Sequence, residues 1–141
     1  MVWNRRLWML LAALSGLVSV AMGAFAAHGI ADLQAKEWLR TGATYEFMHA
    51  IAVVACAVFM QVGAARARFA PPFFLGGTVL FSGSLYAMAL GAPRAVAMAT
   101  PLGGLLFLVG WAVLAWAARG VDSAPSAKVG TTFAPGRHAS L

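Results

Sequence analysis

Residues 7–27, LWMLLAALSGLVSVAMGAFAA, form an uncharged apolar run. At about 1.5 Å of rise per residue, such a run reaches across the roughly 30 Å hydrocarbon core of a bilayer. Three further stretches of similar character follow, over 45–65, 72–90 and 101–118. Together they predict an all-α integral membrane protein of four spans occupying residues 1–120. Arg5 and Arg6 followed by an apolar stretch ending in Ala24-Phe25-Ala26 also fit a cleaved signal peptide. The run exceeds the roughly 7–15 residues of a signal core, so it is read as a retained transmembrane helix. Asn4-Arg5-Arg6-Leu7 lacks the wider context of a twin-arginine signal.

Composition agrees with that reading. Hydrophobic residues make up 62% of the chain and charged ones 10%, too few charges to solvate the surface of an ordinary soluble domain. Ten Lys and Arg stand against four acids, for a net charge of +6. Their placement at the span ends points to the lipid bilayer and topology, not to nucleic acid. Arg5, Arg6, Arg66, Arg68, Arg119, Lys128 and Arg137 fall on one side of the membrane, and Lys36, Arg40 and Arg94 on the other. The excess of basic residues on that side sets both termini in the cytoplasm. Cys56, the single cysteine, lies within the second span and is read as a small packing residue, so no intramolecular disulfide is expected.

Between the first two spans, Ala31, Ala35, Trp38, Leu39 and Gly42 follow a helical spacing, with Lys36, Glu37 and Arg40 opposite. This pattern predicts a short interfacial amphipathic helix over residues 31–42, with Trp38 at the headgroup layer. Pro71-Pro72 and Thr100-Pro101 mark helix starts, with the Thr100 hydroxyl as a cap, and Gly91 and Gly120 mark stops. Short connections make successive spans antiparallel, giving an up-down-up-down four-helix bundle. Residues 121–141 are rich in Gly, Ser, Thr, Pro and Ala and read as a flexible cytoplasmic tail.

Small residues recur every fourth position at Ser15, Ser19, Gly23 and Ala27, and again at Gly83, Ala87 and Gly91. Such stripes let helix backbones approach closely, within one chain, in a homo-oligomer or in a larger membrane complex. Gly76-Gly77 and Gly103-Gly104 are explained in the same way.

Polar residues at membrane depth are the functional candidates. His28 ends the first span, Glu46 and His49 open the second, and Tyr86 lies at similar depth on the third, so the four are expected to meet near the extracytoplasmic rim. Three chemistries are open to them. Two imidazoles and a carboxylate could hold a metal or haem. Glu46 could instead serve a proton or solute path, although a position near the interface argues against that. The plainest reading is a hydrogen-bonded lock with Glu46 as acceptor, requiring neither metal nor cofactor. The methionines are scattered through the spans and fill core volume. No nucleophile with a positioned base, phosphate-cradling loop or nucleotide fingerprint is present, so no enzymatic activity is expected.

The segments Gly23-Ala24-Phe25-Ala26-Ala27-His28-Gly29, Tyr45 with His49-Ala50, Gly83-Ser84-Leu85-Tyr86 and Thr100-Pro101-Leu102-Gly103-Gly104 resemble domain-of-unknown-function family 423. Its members are small bacterial inner-membrane proteins of four helices, and the transmembrane protein 256 family looks like a distant relation. The likeness covers about Leu7 to Ala118. Ala26 stands where the family usually has glycine, and the tail after Arg119 departs from the pattern. The resemblance implies a membrane protein with no established reaction or ligand to carry over. The small-residue stripes, a chain barely larger than its spans and the lack of a reactive constellation point to a non-catalytic structural or accessory component of a membrane assembly. A small-solute or ion transporter or channel is the first rival, and a metal- or haem-binding redox accessory protein the second.

Overall fold

A computed structural model describes residues 4–121. The expected tail, apart from Val121, lies outside the described residues. Four helices form: α1 (Arg5–His28), α2 (Leu33–Gln61), α3 (Pro71–Ala89) and α4 (Ala99–Ala118). Short 3-10 turns, Ala65–Phe69 and Arg94–Met98, precede α3 and α4. All four helices are long and apolar enough to cross a membrane.

Local chemistry sets their ends. The Asn4 side chain accepts from the Leu7 N–H at 3.1 Å and caps α1, while the Asp32 carboxylate accepts from the Ala35 N–H at 2.7 Å and caps α2. Pro71 occupies the first turn of α3, where no donor is needed. Gly63 and Gly91 both adopt φ of 97°. Beyond each, an N–H reaches back to a carbonyl in the last turn, Ala64 to Phe59 and Ala92 to Ala87. These left-handed closures end α2 and α3. Gly63 thus stops the second helix at Gln61, short of the expected 65. Thr100 does not cap α4. Its hydroxyl lies 2.6 Å from that of Ser84 on α3 instead.

The separate interfacial helix expected over 31–42 is a correction. Those residues from Leu33 onward are the first turns of a single α2 helix of 29 residues. Composition changes from charged to apolar near Gly42, but no proline or left-handed glycine interrupts the backbone there. The burial stripe passes straight through, from Ala35, Leu39 and Gly42 to Ala43, Glu46 and His49. At about 1.5 Å per residue, this helix exceeds the thickness of the hydrocarbon core, and its charged first turns project beyond it.

Neighbour relations follow chain order: α1 packs on α2, α2 on α3, and α3 on α4, with a smaller contact from α4 back to α2. Contact of comparable extent joins α1 to neither α3 nor α4 among the described residues. The two inner helices have 44% (α2) and 39% (α3) of their span residues buried, against 22% and 17% on α1 and α4. The driest packing lies toward the end that carries Arg66 and Arg68, around Val53, Cys56, Phe74 and Leu114. There Arg66 sits 4.7 Å over the ring of Trp116.

Glycine decides how closely α3 and α4 approach. A Cβ on Gly103 would collide with the Phe81 backbone, and one on Gly77 or Gly110 with the rings of Phe107 or Phe74. The expected stripe Gly83, Ala87 and Gly91 does not serve this purpose within the chain, which is a second correction. Gly83 faces open space, Ala87 is half-buried, and Gly91 is exposed in its turn. On α1, Ser15 and Ser19 are buried and Gly23 lies against Ala43, but the next inward residue is Ala26, and Ala27 is exposed. A four-residue period drifts around a helix of 3.6 residues per turn, so the stripe leaves the interface by its fourth member.

Candidate functional site

Glu46 occupies the centre of a polar belt. It is 5% exposed, and each carboxylate oxygen accepts one hydroxyl. Ser15 of α1 donates to Oε1 at 2.9 Å, and Tyr86 of α3 donates to Oε2 at 2.7 Å. No basic side chain pairs with this carboxylate among the described residues. Helical side chains lean toward the N-terminus of their own helix. Glu46 therefore leans back over Gly42, and Tyr86 leans down the antiparallel α3 to meet it. Gly42 permits the meeting, since a Cβ there would lie 2.6 Å from the Tyr86 ring.

The helix register sets the height of this group. Gly23 lies against Ala43, Ser19 donates to the Ala43 carbonyl at 2.9 Å, and Ser15 reaches Glu46. Ser15 and Glu46 are near the midpoints of α1 and α2. Glu46 consequently sits close to mid-height of the bundle, which corrects the expectation of a site at its rim. The reason is the fusion of 33–42 into α2: at about 1.5 Å per residue, roughly 20 Å of helix precedes Glu46.

The same geometry removes His28 from the cluster. It is the exposed last residue of α1 and is far from Glu46 along the helix axis. Of the four residues expected to converge, Glu46 and Tyr86 meet, His49 turns to another neighbour, and His28 stays apart.

His49 is buried, at 4% exposure, on the α4 side of α2. Its Nδ1 lies 2.7 Å from the Tyr45 carbonyl, which can only accept, so Nδ1 carries the proton. The Trp111 indole N–H then donates to Nε2 at 3.2 Å. Both nitrogens of a neutral imidazole are thereby satisfied. The ring stacks on Phe107 with centroids 3.5 Å apart and planes 6° apart, with Phe74 tilted at 5.6 Å. Trp111 and Phe107 were not singled out by the sequence reading. Their i, i+4 spacing on α4, matched by Tyr45 and His49 on α2, is the signal that could have marked them.

Further hydroxyls join the helices. Ser82 donates to the Gly42 carbonyl at 2.8 Å, so α2 accepts side-chain donors from α1 and α3 on consecutive residues. Among the described residues, no three His, Cys, Asp or Glu side chains gather as metal ligands. His49 has no free nitrogen to offer in this arrangement.

Among the described residues, one cleft has His49 in its lining and another has Glu46. One, about 460 Å³, lies between α2 and α4 and is walled by Tyr45, His49, Phe107 and Trp111. The other, about 390 Å³, lies between α1 and α3, with Glu46 and Ser15 in its lining.

A family model described as "Protein of unknown function (DUF423)" matches residues 22–104, which include α2 and α3 and most of the belt. The chain belongs to the DUF423 family. A UPF0382 membrane protein of Haemophilus influenzae is 45% identical over 77% of this chain and 90% of its own length. The UPF0382 inner membrane protein YgdD of Escherichia coli K12 is 43% identical over 77% of this chain and 86% of its own. A UPF0382 membrane protein of Staphylococcus epidermidis is 32% identical over 77% and 92%. No solved structure matches the chain. Membrane residence of this DUF423 member is thus carried by the four apolar helices and by its relatives alike.

Proposed function

We propose that this DUF423 protein is a non-catalytic structural or accessory component of a membrane assembly, seated in the bacterial cytoplasmic membrane with both termini cytoplasmic. One observation carries the reading. Every buried polar side chain described is engaged by a hydrogen bond within the chain, and most of these bonds join one helix to another. Such groups fix a shape, and their hydroxyls and imidazole are engaged within the chain. Meanwhile α1 and α4 present broad apolar faces, including Leu10, Leu14 and Leu17 on one and Leu105 and Leu108 on the other. Faces of that kind suit lipid, a second copy or a larger helical partner equally.

The proposed orientation is supported by Arg5, Arg6, Arg66, Arg68 and Arg119, which fall at the same end of the bundle. Extraction in native lipid, followed by mass measurement of the intact particle, tests the assembly. The expected result is a particle heavier than one chain, either a homo-oligomer or a complex with a reproducible partner. Isolated monomers would contradict the reading.

Transport of a small solute or ion is the second reading, supported by the mid-height position of Glu46. Against it, residues such as Val53, Cys56 and Phe74 fill the bundle between Glu46 and the basic end. Liposomes carrying the protein should show no flux above empty ones.

A further inference from the structure

Beyond the accessory role, and independent of it, the α1–α3 cleft has a chemistry of its own. It is lined by Leu11, Ser15, Glu46, Leu75, Thr78 and Val79, among others, with a volume of about 390 Å³. It exists because α1 and α3 splay from α2 with little contact between them. The polar members of its lining share one property. Ser15 directs its hydroxyl proton to Glu46, and Thr78 directs its own to the Phe74 carbonyl at 3.0 Å. Glu46 accepts one hydrogen bond on each oxygen, and each oxygen has a second lone pair to offer. With these hydroxyl protons engaged inside the chain, all three lining groups keep acceptor capacity. A buried carboxylate without a cation is costly unless it is neutralised or paired, and no cation of the described chain reaches it.

We propose that this cleft is a lateral binding site for a single-chain primary ammonium amphiphile. Its three N–H donors match oxygens of Glu46, Ser15 and Thr78, and its apolar chain lies along Leu11, Leu75 and Val79 toward the lipid. Charge complementarity selects the ammonium: an acceptor-only lining beside a carboxylate repels a phosphate, which disfavours an anionic phospholipid headgroup. A neutral alcohol offers one donor and no charge. The volume falls within the range of small-molecule sites.

Equilibrium dialysis of octylammonium against phosphatidylcholine nanodiscs, protein-loaded and empty, tests this proposal, with octanol as the uncharged comparison. The expected result is saturable uptake of one octylammonium per chain above the empty discs, with octanol at least tenfold weaker. Glu46→Gln should weaken octylammonium at least tenfold. Val79 is 70% exposed at the mouth of the cleft, so Val79→Trp should fold normally while its ring fills the site, abolishing uptake even if the Glu46 variant proves unstable. Equal uptake by loaded and empty discs would overturn the proposal, as would equal binding of octanol or indifference to Val79→Trp.

Discussion

Glu46 and His49 stand three residues apart on the same helix, yet the bundle treats them in opposite ways. Glu46 faces α1 and α3 and is held by two hydroxyls, Ser15 and Tyr86, whose protons rotate to suit it. His49 faces α4, where the Tyr45 carbonyl and the Trp111 indole fix its tautomer and the flat face of Phe107 fixes its ring. Because α2 has neighbours on several sides, a rotation of about 60° around its axis changes the surroundings from hydroxyl to aromatic. The hydroxyl side borders a cleft whose lining offers lone pairs. The aromatic side is a stack in which both nitrogens of His49 have a partner. The difference teaches that sequence proximity on a hub helix does not make a shared site.

That contrast can be broken most severely by driving α4 away. Gly103→Leu places a side chain into the Phe81 backbone and should destabilise by about 3 kcal/mol or more, as forced overpacking against backbone does. The loss would register as a collapse in folded yield and in the thermal midpoint in detergent. His49→Ala comes next. It empties the stack and leaves the Trp111 N–H without its acceptor, for an expected loss of about 2–4 kcal/mol. Tyr86→Phe removes one charge-assisted bond and should lower stability by about 1–2 kcal/mol.

Ser15→Ala is the smallest change, about 0.5–1 kcal/mol. Its use lies in combination. Ser15→Ala and Tyr86→Phe share one carboxylate and should deviate from additivity by more than about 0.5 kcal/mol, whereas Tyr86→Phe and Trp111→Phe should add within that margin. A strong coupling between Tyr86 and Trp111 would merge the two sides into one network and remove the contrast.

Much of the architecture is legible in the sequence because lipid demands it. The apolar lengths announce four spans, and the prolines at 71 and 72 announce the start of α3, since a bilayer tolerates little other than helix. The pairing of Glu46 with Tyr86 was foreseeable from chemistry, because a carboxylate at depth needs donors. What escaped reading has physical causes too. The switch from charged to apolar residues near Gly42 looks like an element boundary, but backbone hydrogen bonding is indifferent to it, so α2 continues and carries Glu46 inward, away from His28. Small residues lie on several faces of α3, and spacing alone does not say that Gly77 meets α4 while Gly83 meets nothing. The Trp111–His49 bond depends on the rotation of α4 about its axis, which its nearly uniform apolar sequence leaves unmarked.

The account rests on the register between α1 and α2 that places Glu46 at mid-height. Cysteine cross-linking in a Cys56→Ser background measures it directly. Ideal Cβ positions at Gly23 and Ala43 lie 3.9 Å apart, within the disulfide range, so Gly23→Cys with Ala43→Cys should cross-link on mild oxidation in membranes, and His28→Cys with Glu46→Cys should not. The reverse pattern, a His28–Glu46 cross-link with none between positions 23 and 43, would return the carboxylate to the rim and contradict the account.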